Sequence, residues 1–180
     1  MIRTIALTTI AGLTLMACSA PPAQVAYGPD GRPLPQLYQI NSGDSDRIQL
    51  RFLDGVNAVR QAAGAAPVAL NAELTAAAAT HSRDMSVQNR PWHFGSDGSS
   101  PLDRARRVGY RGELLGENIS ETYETELETL SAWMSAEDQR AVILNPEARD
   151  LGFSWFQEPG GKIWWTMVTG RPGSAGAVGF

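Results

Sequence analysis

Residues 151–170, LGFSWFQEPGGKIWWTMVTG, decide the fold class. Leu151 to Gln157 and Lys162 to Thr169 are aromatic-rich and β-prone, and Glu158-Pro159-Gly160-Gly161 between them has the composition of a turn, so the stretch reads as a β-hairpin. Upstream of it the apolar period changes. From Arg47 to Ala63, Ile48, Phe52, Leu53, Val56 and Val59 recur at helical spacing until Gly64 ends the run. Pro67, Val68, Leu70 and Asn71 form a short extended link, with Asn71 placed to cap a second helix over Ala72 to Gln88. Leu74, Ala78, His81 and Met85 share one face of that helix, which points His81 inward among apolar neighbours.

Between the second helix and the hairpin the two periods alternate. Asn89 to Ser100 is a loop holding Trp92, His93 and Gly95-Ser96-Asp97-Gly98. Ser100-Pro101-Leu102-Asp103 then starts a short helix that ends near Gly109: Ser100 caps it, Pro101 suits the first turn, and Asp103 complements the dipole. Leu114 to Ser120, containing Gly116-Glu117-Asn118, reads as extended. Thr125 and Glu128 form a capping box for a helix carrying Leu127, Leu130, Trp133 and Met134. Ser135 and Asp138 suggest another short helical start, broken by Asn145-Pro146. Helices first, then strands interleaved with helices, predict a layered α/β or α+β domain over residues 46–170, with 171–180 as a loose tail.

The N-terminus reads as an address. Met1-Ile2-Arg3 is a short basic start, and Thr4 to Met16 is an apolar run shorter than the ~20 residues a membrane span needs. It ends in Leu15-Met16-Ala17-Cys18, which resembles the lipobox of bacterial lipoproteins, where cleavage precedes a lipidated cysteine. Residues 1–17 are therefore expected to be a signal peptide, and Cys18 a lipid anchor to a membrane. Ser19, rather than aspartate, points by the same resemblance to the outer membrane, facing the periplasm. Residues 18–45, with Pro21-Pro22, Gly28-Pro29-Asp30-Gly31 and Arg32-Pro33-Leu34-Pro35, are expected to be a flexible linker. Its later part, with Tyr27, Leu37, Tyr38 and Ile40, is apolar enough to dock on the domain.

A net charge of −4 gives no electrostatic reason to expect nucleic acid binding. Arg104, Arg106 and Arg107 fall within one turn and read as a solvated helix face. Cys18 is the only cysteine in the 180 residues, so no intrachain disulfide is available. A monomer is expected.

In this order and spacing the pieces resemble the CAP superfamily, the cysteine-rich secretory, antigen 5 and pathogenesis-related 1 proteins, and in particular its short bacterial members. The resemblance rests on Leu70-Asn71 to Leu74, His81-Ser82-Arg83-Asp84-Met85, and His93 with Gly95 to Ser100. It continues through Asp103-Arg104-Ala105 with Gly109-Tyr110, Gly116-Glu117-Asn118-Ile119, Trp133-Met134-Ser135, Ile143-Leu144-Asn145-Pro146 and Trp165-Thr166. It implies a three-layer α-β-α sandwich with a surface cleft. In many members that cleft is lined by two histidines and two acids, and some hold zinc there. By motif, His93 matches the first histidine and Glu117 the glutamate of Gly-Glu-Asn. The second histidine is expected six residues after Trp133, where this chain has Gln139. The second acid falls near Ala136, with Glu137 as a neighbouring replacement.

Glutamine hydrogen-bonds but does not titrate, and it is no substitute for imidazole as base or zinc ligand. With His81, His93, Glu117, Glu137 and Gln139 as cleft candidates, the tetrad is degenerate, and any metal site would centre on His93 and Glu117. No cofactor is required; a divalent cation such as zinc is the one the resemblance admits. Glu117 could equally hold loop backbone, and His81 reads as a core histidine. Neither a Gly-x-Ser-x-Gly elbow nor a cysteine nucleophile is present. Ser96, Ser99 and Ser100 read as turn and cap residues, and Trp133, Trp155, Trp164 and Trp165 as core. The expectation is a non-catalytic module binding a lipid, glycan or envelope protein; the alternative is a metal-assisted hydrolase acting on envelope or peptide substrates.

Overall fold

The computed structural model describes residues 37–173. The expected signal peptide, Cys18, most of the expected linker and all but the first three residues of the expected tail lie outside the described residues. The described chain forms α1 (Ser45–Ala62), β1 (Ala69–Leu70), α2 (Ala72–Gln88), α3 (Pro101–Arg107), β2 (Glu113–Thr122), α4 (Glu126–Ser135), α5 (Glu137–Leu144), β3 (Asp150–Gln157) and β4 (Ile163–Arg171). None of its helices is long and apolar enough to cross a membrane.

The sheet has the order β1-β3-β4-β2. β3 and β4 are the expected hairpin, with Trp155 opposite Trp165, and β2 pairs antiparallel on the far side of β4. The two-residue β1 adds in parallel to β3. Alternation along β4 divides the core between two faces. Ile163, Trp165 and Met167 join α1, α4 and α5 through Ile48, Phe52, Val56, Leu130, Trp133 and Ile143. Trp164 and Val168 face α2 and α3, against Met85 on one side and Leu74, Ala78 and Ala105 on the other. The result is the three-layer α-β-α sandwich. Trp133, Trp164 and Trp165 are fully interior, and Phe153 stacks between Phe52 and Trp165, with ring centroids 3.6 and 5.4 Å away.

Three of the five described helices start at capping residues, while α1 and α5 have no side-chain cap. Asn71 accepts from the Leu74 N–H, and Ser100/Asp103 and Thr125/Glu128 form two reciprocal capping boxes. Each satisfied cap contributes roughly 1 kcal/mol. Gly152 sits where α2 crosses the sheet, and any Cβ there would collide with the Leu74 backbone.

The linker expected to extend to residue 45 is docked over its described part. The Tyr38 hydroxyl donates to Glu126 at 3.1 Å, the Ile40 N–H to the Gln157 side chain at 2.9 Å, and Gln157 Nε2 returns a bond to the Tyr38 carbonyl at 2.7 Å. Glu126 is fully buried and also pairs with Arg51. At the other end, β4 runs one residue into the segment read as tail, and Arg171 pairs with Glu147 and Glu113.

Candidate functional site

β2 carries the Gly116-Glu117-Asn118 motif, and pairing with β4 sets its faces. Glu117 lies opposite Val168, so its side chain enters the α2/α3 side of the sheet, while Gly116 and Asn118 lie opposite Thr169 and Met167 and face α5. A Cβ on Gly116 would come within 2.8 Å of both Val142 methyl carbons, so glycine is what lets α5 approach. Buried Asn118 donates its side-chain N–H to the Gln139 carbonyl at 2.9 Å. The motif thus ties both helical layers to one strand.

On the α2/α3 side, Glu117 is buried, with 3% of its side chain exposed, and is ringed by three cationic or potentially cationic groups. Arg104 Nη2 donates to Oε2 at 2.7 Å, His93 Nδ1 lies 2.9 Å from Oε1, and His81 Nε2 stands 3.8 Å from Oε1. Arg104 Nη1 also reaches the carbonyls of His93 and Ser99, both at 3.0 Å. One guanidinium therefore holds the carboxylate and two points of the 89–100 loop together.

This corrects the reading of Arg104 as part of a solvated face. It is 4% exposed, whereas Arg107 pairs with Asp97 at the surface. Two buried, paired charges are costly to separate: removing one partner of such a pair costs about 3–5 kcal/mol.

His81 has no exposed surface, and neither ring nitrogen has a hydrogen-bond partner. Burial holds its pKa below the usual imidazole value. Glu117 and the Trp92 carbonyl pull the other way without reaching hydrogen-bond geometry, and Arg104 reinforces the depression. The ring is neutral at pH 7. Next to it, Ser82 donates to Thr166 at 2.8 Å and contacts the Ser154 carbonyl. Asp84 is pushed up by burial but held below the usual carboxylate range overall by Ser96 and Gln88; Ser96 Oγ donates to it at 2.5 Å.

The geometry brings His81, His93 and Glu117 together and adds Arg104. It leaves Glu137 and Gln139 on α5, which packs on the other side of β2. Among the described hydrogen bonds and ion pairs, none joins the side chains of Glu137 or Gln139 to the cluster, and no serine or threonine hydroxyl bonds to either histidine. A metal is a poor fit to these donors. Both Glu117 oxygens are engaged, one by a guanidinium whose charge would lie against the cation. Among the described residues, no group of three or more His, Cys, Asp or Glu is placed to hold an ion.

A second feature escaped the sequence. The loop after α2, entered through Asn89 at φ 50°, presents Arg90, Pro91, Trp92, His93 and Phe94 to solvent. Trp92 is the tryptophan that the core does not use, and a loop position flanked by proline was the available signal.

The model of the cysteine-rich secretory protein family, CAP, matches residues 53–169. The Bacillus subtilis protein YkwD is 32% identical over 121 residues, which are 67% of this chain and 46% of YkwD, so the chain spans about half the length of that relative. Among solved structures, an extracellular SCP-domain protein from Bacillus anthracis superposes with a TM-score of 0.65 at 22% identity, covering 74% of this chain and 45% of that one. An outer surface protein from Borrelia burgdorferi superposes with a TM-score of 0.62 at 10% identity, covering 77% of this chain and 100% of that one.

Proposed function

The chain belongs to the CAP, or cysteine-rich secretory protein, family, and from that premise we propose that it is a non-catalytic binding module of the cell envelope, held at a membrane by a lipid on Cys18. The observation that carries the non-catalytic reading is the commitment of Glu117. A general base or metal ligand needs a free lone pair aimed at a substrate or ion. Here one oxygen accepts from Arg104 and the other meets His93, while His81 is neutral and enclosed. The cluster serves as a clasp that fixes the 89–100 loop and α3 to β2. It needs no metal, and the ligand, whether lipid, glycan or envelope protein, is met at the surface that the clasp holds rigid.

The envelope location draws support from the apolar leader and the Leu15-Met16-Ala17-Cys18 motif. It also agrees with two fold neighbours, an extracellular protein and an outer surface protein. The deciding test is calorimetric titration of the purified protein with zinc. Heat no greater than that of a His93→Ala control is the expected result. Stoichiometric binding that is lost in His93→Ala would refute the clasp and favour a metal-assisted hydrolase. The anchor is tested separately: Cys18→Ala should abolish acyl labelling and release the protein from the membrane fraction.

A further inference from the structure

We propose that the loop Arg90–Phe94 is a second membrane contact, which seats the domain on the headgroup region of a bilayer containing anionic lipids. Trp92 and Phe94 are 44% and 46% exposed and lie next to each other, ring centroids 5.9 Å apart. Val87, on the last turn of α2 before the loop, is 77% exposed. The loop that carries the two rings is nevertheless fixed: Arg104 holds the His93 carbonyl, Gln88 holds the Phe94 carbonyl at 3.0 Å, and the Gly95 N–H bonds to the Ser99 carbonyl at 2.8 Å. Aromatic rings presented on a rigid backbone lose little entropy when they bind.

Charge and ring geometry choose the occupant. Residues 85–96 contain no Asp or Glu, although the chain as a whole is acidic. The flanking acids are engaged elsewhere, Asp84 by Ser96 and Asp97 by Arg107. Arg90 lies over one face of the Trp92 ring, 4.5 Å from its centroid, and Phe94 is tilted 42° to it. A covered, tilted pair makes no flat platform for a sugar ring. Tryptophan and phenylalanine beside arginine suit the interfacial zone, where ring edges meet acyl chains and the cation meets phosphate. The proposal rests on the anchored reading for proximity: Cys18 to Gln36 reaches at most about 65 Å fully extended, so a lipid on Cys18 keeps the loop within range of the bilayer and a small patch suffices.

The test uses the full chain in vesicles of neutral and anionic phospholipid whose acyl chains carry bromine just below the headgroup. Flotation with the vesicles reads anchoring, and tryptophan quenching by bromine reads docking. Docking predicts quenching in the wild type that disappears in Trp92→Phe, because Trp133, Trp164 and Trp165 are interior and half-buried Trp155 packs on the α1/α4 face of the sheet. It also predicts an approximately fivefold drop in the docked-to-undocked ratio for Arg90→Gln, the equivalent of about 1 kcal/mol for one arginine at an anionic surface. Both residues are exposed, so the substitutions leave the fold intact. A chain that floats without Trp92-dependent quenching overturns the second contact and leaves the anchor standing. A chain that does not float overturns both.

Discussion

Lowering the pH from 7 to 5 is expected to cost this protein stability, up to about 2 kcal/mol, through one side chain, His81. In the unfolded chain its imidazole takes up a proton near pH 6.5. In the folded protein burial depresses that pKa, with Glu117, Asp84 and the Trp92 carbonyl opposing and Arg104 assisting the depression. The unfolded state therefore binds more protons below pH 6.5, and the stability present above it drains away as the pH falls toward the folded pKa. One differential proton amounts to ~1.4 kcal/mol per pH unit, so integrating from 7 to 5 sets a ceiling of about 2 kcal/mol, reached when the folded ring takes up no proton over that range. The assay is urea unfolding at half-unit steps between pH 5 and 7. Carboxylates that the fold holds below their ordinary range, such as Asp84, Asp103, Glu128 and Glu158, act at more acid pH, as their unfolded counterparts titrate near 4. His81→Leu should flatten the profile, with His93→Ala run beside it because these are the chain's two histidines. A His81→Leu profile as steep as the wild type's would refute the argument.

The clasp makes a second prediction: Arg104→Met strands the Glu117 charge and should cost about 3–5 kcal/mol, whereas Arg104→Met with Glu117→Gln should recover much of it. Chemical denaturation of the four proteins in that cycle measures the coupling, and a coupling near zero would show that the pair is not joined. Gly116→Ala should lose roughly 1–3 kcal/mol through crowding against Val142, and Val142→Ala in the same chain should relieve it, read by thermal unfolding. Tyr38→Phe removes the hydroxyl that meets buried Glu126 and should cost about 1 kcal/mol. Equal stability of Tyr38→Phe and wild type would mean that residues 37–44 only rest on the domain.

The features legible in the sequence were those written locally. Asn71, Ser100 with Asp103 and Thr125 with Glu128 mark helix starts because a cap bonds within three residues, and the 151–170 hairpin carries its own turn. His81 was readable as interior because it falls in register with Leu74, Ala78 and Met85. Arg104 was not, since its partners are a strand residue 13 positions on and two loop carbonyls, and nothing periodic in Pro101–Arg107 distinguishes it from Arg106 or Arg107. Arg60 is illegible in the sequence for the same reason: it lies inside the fold with its guanidinium on the carbonyls of Ala66, Ile143, Asn145 and Ala148, contacts up to 88 residues distant. Motif matching placed Gln139 in the cleft, but the strand pairing decides which side of β2 each residue meets, and there the Gln139 contribution is its carbonyl to Asn118.

The docking of residues 37–44 also has a mechanical side. If the domain hangs from an anchor near its N-terminus, every pull on that anchor enters through Leu37. Tyr38 and Ile40 receive the load first, and they pass it to Gln157 at the end of β3 and to Glu126 at the start of α4. Those three hydrogen bonds and a fourth, from Arg51 to the Tyr38 hydroxyl, must part before tension reaches the first turn of α1. The segment therefore acts as strain relief, and drag on the domain at a cell surface would peel eight residues of chain before it disturbed the sheet or the clasp behind it.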